Sequence, residues 1–274
     1  MTGIDDAGFR TLTRRISESA GLALDAYKDK CLKRRIAVRM RARGLHTYPD
    51  YQDLLERDAE ELRLLTDVLT INVTKFFRNR EMWERLAVLV VPAIFRRVPG
   101  EFQVWSAGCS SGEESFTLGM LFAERAAHLG HPEWFDRVTI DATDIDRLSL
   151  ERSREGVYPD AAFSETAPLL VQRYAIREAD GSYRIAERVR RRVRVLRQDM
   201  LLESPPAPPY QLIVCRNVII YFDRPSQERL MEKFTSALVP GGYLVLGKVE
   251  TIFGPARGAL ELIEPRERIY QRPA

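Results

Sequence analysis

The stretch Phe102 to Glu114, FQVWSAGCSSGEE, constrains the fold of this chain more than any other. A short apolar run enters a loop of small residues closed by Gly108 and Gly112 and leaves through two acids into a helical stretch, Ser115 to Leu129. Strand, glycine turn and helix in that order open a doubly wound parallel sheet. Three further apolar runs continue the rhythm: Val138 to Asp144, Tyr210 to Cys215, and Tyr243 to Gly247 after a Pro-Gly-Gly turn. A helix over Ser226 to Leu238 separates the last two, Glu81 to Arg97 reads as a helix before the first strand, and Leu262 to Tyr270 is expected as a closing edge strand. The fold class expected is α/β, a Rossmann-like sheet domain over residues 71–274.

The chain before it has a different texture. Phe9 to about Leu69 is rich in Leu, Arg, Glu and Ala with no β-branched run, and predicts three or four short helices forming a separate domain over residues 1–70. Within it, Lys28 to Arg43 holds eight Lys or Arg and one Asp. Leu32, Ile36 and Met40 form one apolar stripe there, and Arg35 and Arg39, with Arg41 further round, form a neighbouring basic one that suits an acidic partner. A second basic stretch, Tyr183 to Leu196, alternates Val with Arg. It predicts an antiparallel hairpin within a small β subdomain, about residues 152–197, inserted into the sheet domain.

The balance of 42 Lys plus Arg against 39 Asp plus Glu leaves a net charge of only +3. This argues against a protein held on nucleic acid by bulk electrostatics. No run of eighteen apolar residues suggests a membrane span, and Met1 to Phe9 lacks the apolar core of a secretory leader, so a cytoplasmic protein is expected. Cys31, Cys109 and Cys215 lie far apart, as free thiols do, and offer no metal-ligand spacing.

The glycine loop lacks the GxGxxG of dinucleotide binders and the GK[ST] of a P-loop, which disfavours a phosphate-bearing ligand. Glu113 and Glu114 would repel phosphate but suit a cation. Asp144, at the end of the second strand, stands where doubly wound nucleoside sites place an acid on the ribose hydroxyls. A glycine loop with an acid, a second-strand acid and no phosphate clamp together describe S-adenosylmethionine better than NAD or ATP, and the chemistry becomes methyl transfer.

Three segments carry a resemblance. Asn72-Val73-Thr74-Lys75-Phe76-Phe77-Arg78, Trp105-Ser106-Ala107-Gly108-Cys109-Ser110-Ser111-Gly112-Glu113-Glu114, and Cys215-Arg216-Asn217-Val218-Ile219-Ile220-Tyr221-Phe222-Asp223 resemble, in order and spacing, motifs of the CheR-type chemotaxis receptor methyltransferases. The resemblance spans nearly the whole chain. It implies an S-adenosylmethionine-dependent protein-glutamate O-methyltransferase acting on chemoreceptor cytoplasmic helices for chemotactic adaptation. It also implies a helical N-terminal domain followed by an α/β domain with a small antiparallel subdomain. By similarity Asn72, Thr74 and Arg78 reach the cofactor, Glu113 meets its amino-acid end, Asp144 its ribose, Asp199 and Met200 its adenine, and Arg216 and Asn217 supply further contacts. Two positions depart from the pattern: Ser115-Phe116 replaces a commoner Pro-Tyr, and Gly247-Lys248-Val249-Glu250 replaces a frequent GHSE.

A glutamate acceptor, with an ordinary pKa of about 4.3, is already an anion at neutral pH and needs no general base. What it needs is a cation or donor that holds it in line, for which Arg78 and Tyr221 are the candidates. Arg35, Arg39 and Arg41 would dock an acidic receptor helix, and a receptor tail peptide could pair with the edge of the β subdomain. Three rival readings are a non-catalytic cofactor-binding signalling module, a methyltransferase acting on a non-receptor protein, and a nucleic-acid methyltransferase. The last would usually show an acid or Asn before Pro-Pro-aromatic after the fourth strand, where this chain has Arg216-Asn217-Val218.

Overall fold

A computed structural model describes residues 3–69 and 74–274. The chain divides into two compact units, Met1–Ile71 with Tyr221–Gln227, and Asn72–Ile220 with Glu228–Ala274.

The first unit is built on four helices: α1 (Gly3–Ala20), α2 (Asp29–Ala42), α3 (Tyr48–Arg57) and α4 (Ala59–Leu69). Their apolar faces meet through Phe9, Leu12 and Ile16 of α1, Leu32, Ile36 and Met40 of α2, Leu55 of α3 and Leu65 of α4, all buried. The helix starts are encoded locally. The Thr47 hydroxyl accepts the Asp50 N–H at 3.3 Å at the head of α3, and the Asp58 carboxylate accepts the Glu61 N–H at 3.0 Å at the head of α4, each meeting a donor the helix leaves unpaired. Glu61 is fully buried. It accepts from Arg39 at 3.0 and 2.6 Å and from the Tyr51 hydroxyl at 2.7 Å, so one carboxylate joins α2, α3 and α4. Residues 221–227 complete this unit: the Lys28 N–H donates to the Tyr221 carbonyl (2.9 Å), the Asp223 N–H to Ala26 (2.7 Å), and the Tyr27 and Phe222 rings meet edge to face.

The second unit opens with α5 (Arg80–Arg85), a π-turn (Leu86–Val90) and α6 (Val91–Arg97), which together occupy the span expected as one helix. Pro92 lacks an N–H and falls just past the widened turn. Strands β1 (Phe102–Ala107) and β2 (Val138–Asp144) flank the glycine loop and α7 (Glu113–His128). The insert follows: α8 (Arg147–Glu155), β3 (Val157–Tyr158), α9 (Pro168–Tyr174), β4 (Ala175–Arg177), β5 (Tyr183–Ile185) and α10 (Glu187–Arg190). Then come β6 (Val193–Arg197), β7 (Tyr210–Cys215), α11 (Arg224–Ala237), β8 (Leu238–Leu246), β9 (Glu261–Glu264) and β10 (Ile269–Gln271). The main sheet runs β6-β2-β1-β7-β8-β10-β9, and β3-β5-β4 form a small separate sheet. Strands β6, β2, β1, β7 and β8 are parallel neighbours, and β10 and β9 pair antiparallel at the other edge. Strand order reverses on either side of β1, which puts a crevice at the carboxyl ends of β1 and β7.

Two expectations change. The segment Tyr183 to Leu196 is not one hairpin. Its first part is the central strand of the small antiparallel sheet, whereas β6 joins the main sheet parallel to β2. Alternation of Val with Arg specifies a strand with one wet face but not its partner, and Arg194 uses that face to reach the fully buried Asp141 of β2 at 2.7 Å. The closing edge is likewise a two-stranded hairpin rather than one strand. Among the described residues no helix is long and apolar enough to cross a membrane.

Burial alone would raise the Glu61 carboxyl, but hydrogen bonds from Arg39 and Tyr51 outweigh it and hold it below its ordinary value. The stability it contributes is therefore present above the ordinary carboxylate range and lost as pH falls through the folded value. Glu61→Gln should destabilise the helical unit by about 3 kcal/mol at neutral pH and flatten the acid limb of stability. Urea unfolding of the full chain across pH checks both.

Candidate active site

The glycine loop is shaped by its backbone. Gly108 and Gly112 take φ of +81° and +97°, and Ser110 also lies in the left-handed region at +51°. A Cβ on Gly112 would lie 2.3 Å from the Ser153 hydroxyl, and one on Gly108 would lie 2.6 Å from Val218 Cγ2 and 3.3 Å from Met200 Cε. Glycine is thus required twice, by conformation and by the close approach of α8 and of the segments after β6 and β7. The N–H groups of Gly108 and Cys109 both donate to the Thr143 carbonyl at the end of β2, at 2.8 and 2.9 Å. The Ser110 N–H donates to the Asp144 carboxylate at 2.8 Å, and Asp144 also accepts the Asp146 N–H at 3.0 Å. From the insert, the Tyr158 hydroxyl donates to the Ser111 carbonyl at 2.6 Å.

Acids gather around this loop. Glu113 is 6% exposed and accepts from the Ser111 hydroxyl at 2.8 Å. Glu114 accepts from Ser106 at 2.9 Å. Burial pushes the carboxyls of Glu113, Glu114 and Asp144 above their ordinary values. Arg216, 8% exposed, faces Glu114 at 3.4 Å. Loss of water lowers its pKa too, yet a guanidinium remains protonated and the pair is ionic. One buried acid and two half-buried ones against one buried arginine form a donor set that fits a ligand carrying positive charge, such as a sulfonium with an ammonium group, and disfavours a phosphate.

Arg216 does more than balance charge. It donates to the Arg78 carbonyl at 3.0 Å and to the Asn79 side chain at 2.7 Å, and its guanidinium lies 5.5 Å from the Trp83 ring. Phe77 and Asn79 both have positive φ, 54° and 62°. The same segment is further fixed by the Phe77 N–H on the Thr117 hydroxyl (3.1 Å) and by Phe76 stacked on Phe163 at 4.3 Å. Arg216, expected as a cofactor contact, thus has its donors on protein groups.

Met200 is buried and faces Gly108, while Asp199 caps its own turn by accepting the Leu201 N–H at 2.8 Å. Asn217, φ 61°, follows β7. Thr74 is half-buried, and Asn72 lies outside the described residues. The sheet unit therefore brings together Arg78, Glu113, Asp144, Met200, Arg216 and Asn217. Thr74 and Asp199 lie in the same unit, whereas Tyr221, Arg35, Arg39 and Arg41 belong to the helical unit. There the Tyr221 ring carries the Arg35 guanidinium at 4.6 Å. The basic stripe also differs from expectation: Arg35 is 5% exposed, with its guanidinium on the Leu69 carbonyl, and Arg39 is committed to Glu61. Only Arg41 of the three is exposed, and the solvent face of α2 carries Lys30, Arg34 and Arg41 with Val38. The reason is geometric, since positions 35 and 39 adjoin the buried Ile36 and Met40 and meet a buried carboxylate that nothing near them in sequence reveals.

Sequence reasoning missed three supports. Tyr158 holds the glycine loop. Lys233 donates to the carbonyls of Met200, Leu201 and Glu203 at 2.7, 3.1 and 2.6 Å, and Glu250 gathers main-chain donors from two loops. Tyr158 and Lys233 act through long-range contacts without a local signature, and Glu250 joins a local contact with Gly247 to long-range ones after β7.

A parallel sheet of this order, a glycine loop at its switch point and an acidic, phosphate-averse ligand end define an S-adenosylmethionine-dependent methyltransferase. The sequence matches the CheR methyltransferase all-alpha domain over residues 7–70 and the CheR methyltransferase SAM binding domain over residues 72–268. It is 34% identical over 257 residues to a chemotaxis protein methyltransferase of Klebsiella aerogenes, covering 90% of this chain and 84% of that one. Its identity to those of Listeria monocytogenes and Escherichia coli K12 is 34% and 32%, over 89% and 90% of this chain and 90% and 85% of theirs. The chain belongs to the CheR methyltransferase family.

Gly112→Ala should weaken binding of S-adenosylhomocysteine by about tenfold or more, since positive φ and the Ser153 contact both resist a methyl group. Calorimetric titration against the parent protein measures it.

Proposed function

We propose that this chain transfers a methyl group from S-adenosylmethionine to glutamate side chains on chemoreceptor cytoplasmic helices, giving γ-glutamyl methyl esters. The observation that carries the reading is likeness to chemotaxis methyltransferases through both units, over about nine-tenths of the chain, with the acidic glycine loop intact. The cofactor supplies an activated methyl group on a sulfonium. The residues of this chain bind and align. Asp144 would receive the ribose hydroxyls, Glu113 the ammonium end, and Met200 would wall the adenine with Asp199 beside it. Thr74, Asn72 and Asn217 add contacts to the cofactor.

Methyl transfer is a single in-line displacement, so catalysis here is proximity and orientation. The acceptor carboxylate attacks as the anion it already is, and no proton must be removed. Arg78 of the sheet unit holds that carboxylate by charge and hydrogen bond, and Tyr221 of the helical unit is the second candidate, carried by the motif resemblance. Arg216 and Arg35 act behind them: Arg216 fixes the backbone of Arg78, and Arg35 lies on the ring of Tyr221.

Docking of an acidic receptor helix falls to the exposed face of α2. Lys30, Arg34 and Arg41 supply the charge, with Arg41 retained from the sequence-based set and Arg35 and Arg39 serving the fold. Such exposed pairs contribute up to about 1 kcal/mol each and act mainly on encounter and register. The edge of the small β3-β5-β4 sheet offers a place where a receptor tail peptide would add a strand. Such receptor segments lie in the cytoplasm, and the reading places the chain there.

With a labelled methyl donor and cytoplasmic receptor fragments, label should enter the fragment and be released by alkali as methanol; label stable to alkali would remove the carboxyl acceptor. Lys30→Glu with Arg34→Glu should leave S-adenosylhomocysteine affinity unchanged and lower kcat/KM for the receptor by about tenfold at low salt, with the gap narrowing as salt rises.

A further inference from the structure

We propose that Glu250 is a positioning residue for cofactor binding and methyl transfer, fixing the segment after β7 against the glycine loop. The inference deepens the methyltransferase reading and rests on it.

Glu250 is 3% exposed and stands in the loop after β8. Main-chain N–H groups from Gly247 and from the segment after β7 converge on its carboxylate. One oxygen accepts from Gly247 at 2.6 Å and Asn217 at 3.0 Å, the other from Val218 at 3.0 Å and Ile219 at 2.9 Å. Its own N–H closes the turn on the Gly247 carbonyl at 2.9 Å. A single side chain thus ties the loops leaving two adjacent parallel strands, both at the carboxyl end of the sheet where the site lies. Charge-assisted bonds of this kind are among the stronger ones in a protein, and the buried N–H groups of Gly247 and Ile219 would be costly to leave without an acceptor.

The consequence reaches the glycine loop. Val218, held through its N–H by Glu250, places its side chain against Gly108, where an added Cβ would lie only 2.6 Å away. Asn217, in the left-handed region, is held in the same way and follows directly on Arg216, whose guanidinium fixes the Arg78 carbonyl and faces Glu114. Movement of the 217–219 segment therefore shifts a wall of the glycine loop and the mounting of Arg78 together. The geometry also accounts for the departure at residues 247–250. Gly247 and Glu250 are fixed by the architecture, since a Cβ on Gly247 would lie 2.7 Å from Glu250 and 3.1 Å from the Asn217 N–H. Val249 is 73% exposed, so that position is open to change, whereas Lys248 lies 3.3 Å from the buried Glu267.

Glu250→Gln places an amide nitrogen against two N–H donors while keeping shape. The folded variant is expected to raise KM for S-adenosylmethionine and to lower kcat/KM by about tenfold to a hundredfold, with weaker S-adenosylhomocysteine binding by titration. Val249→Ser should match the parent in both. Val218→Ala leaves the N–H cluster in place and removes only the wall on Gly108, and should weaken S-adenosylhomocysteine binding several-fold. If folded Glu250→Gln binds and turns over within twofold of the parent, the proposal is wrong. If that variant does not fold, Val218→Ala decides, and parent-like binding there overturns the proposal. The titration uses no acceptor, so a parent protein that binds S-adenosylhomocysteine yet makes no receptor ester would remove the acceptor reading and leave this one standing.

Discussion

Arg216 is the cation on which the carboxyl end of the sheet is assembled. Taking a guanidinium and a carboxylate out of water costs several kcal/mol for each ion, and their attraction offsets this only when the remaining donors are also used. Here they are used: Glu114 takes one side of the guanidinium, and the Arg78 carbonyl and Asn79 side chain take the other. The start of α7, the end of β7 and a backbone turn with two left-handed residues are thereby held in one arrangement. Removal of this arginine would leave the half-buried Glu114 without its counter-charge and facing Glu250. The excess of acid that remains is what a positively charged nucleoside would relieve.

The same economy of charge governs the helical unit, with the opposite outcome for function. Arg39 and Tyr51 satisfy Glu61 and join three helices, and Arg35 lies against Tyr221. Basic residues on one helix thus divide into two groups, one facing buried partners and one facing solvent. Only the second is available to a substrate. An arginine-rich helix therefore does not by itself report a docking surface, since charge count says nothing about which face is already engaged.

What the sequence made legible follows from how local each signal is. The strand, glycine loop and helix around Gly108 and Gly112 are encoded within thirteen residues, by steric requirements only glycine meets. Strands β1, β2 and β7 lie where apolar runs bounded by turns put them. Asp144 could be placed on the crevice because strand order fixes where a second strand ends. The pairing of β6 was not legible, because Val alternating with Arg suits an edge strand of either sheet. Glu61 was not legible either, since an acid in a first helical turn is ordinary. Glu250, Tyr158 and Lys233 act on residues 33, 47 and 33 positions away, and no periodicity within a window of that width connects them.

The central claim of this account is that the cofactor seats at the glycine loop, between the ends of β1 and β2 and the segments after β6 and β7. Amide hydrogen exchange with and without S-adenosylhomocysteine tests it most directly. Protection on binding should concentrate at residues 106–114, 143–146, 198–203 and 216–219, with little change in the solvent face of α2. Binding that leaves the exchange of 106–114 and 143–146 unaltered while protecting another part of the chain would contradict it.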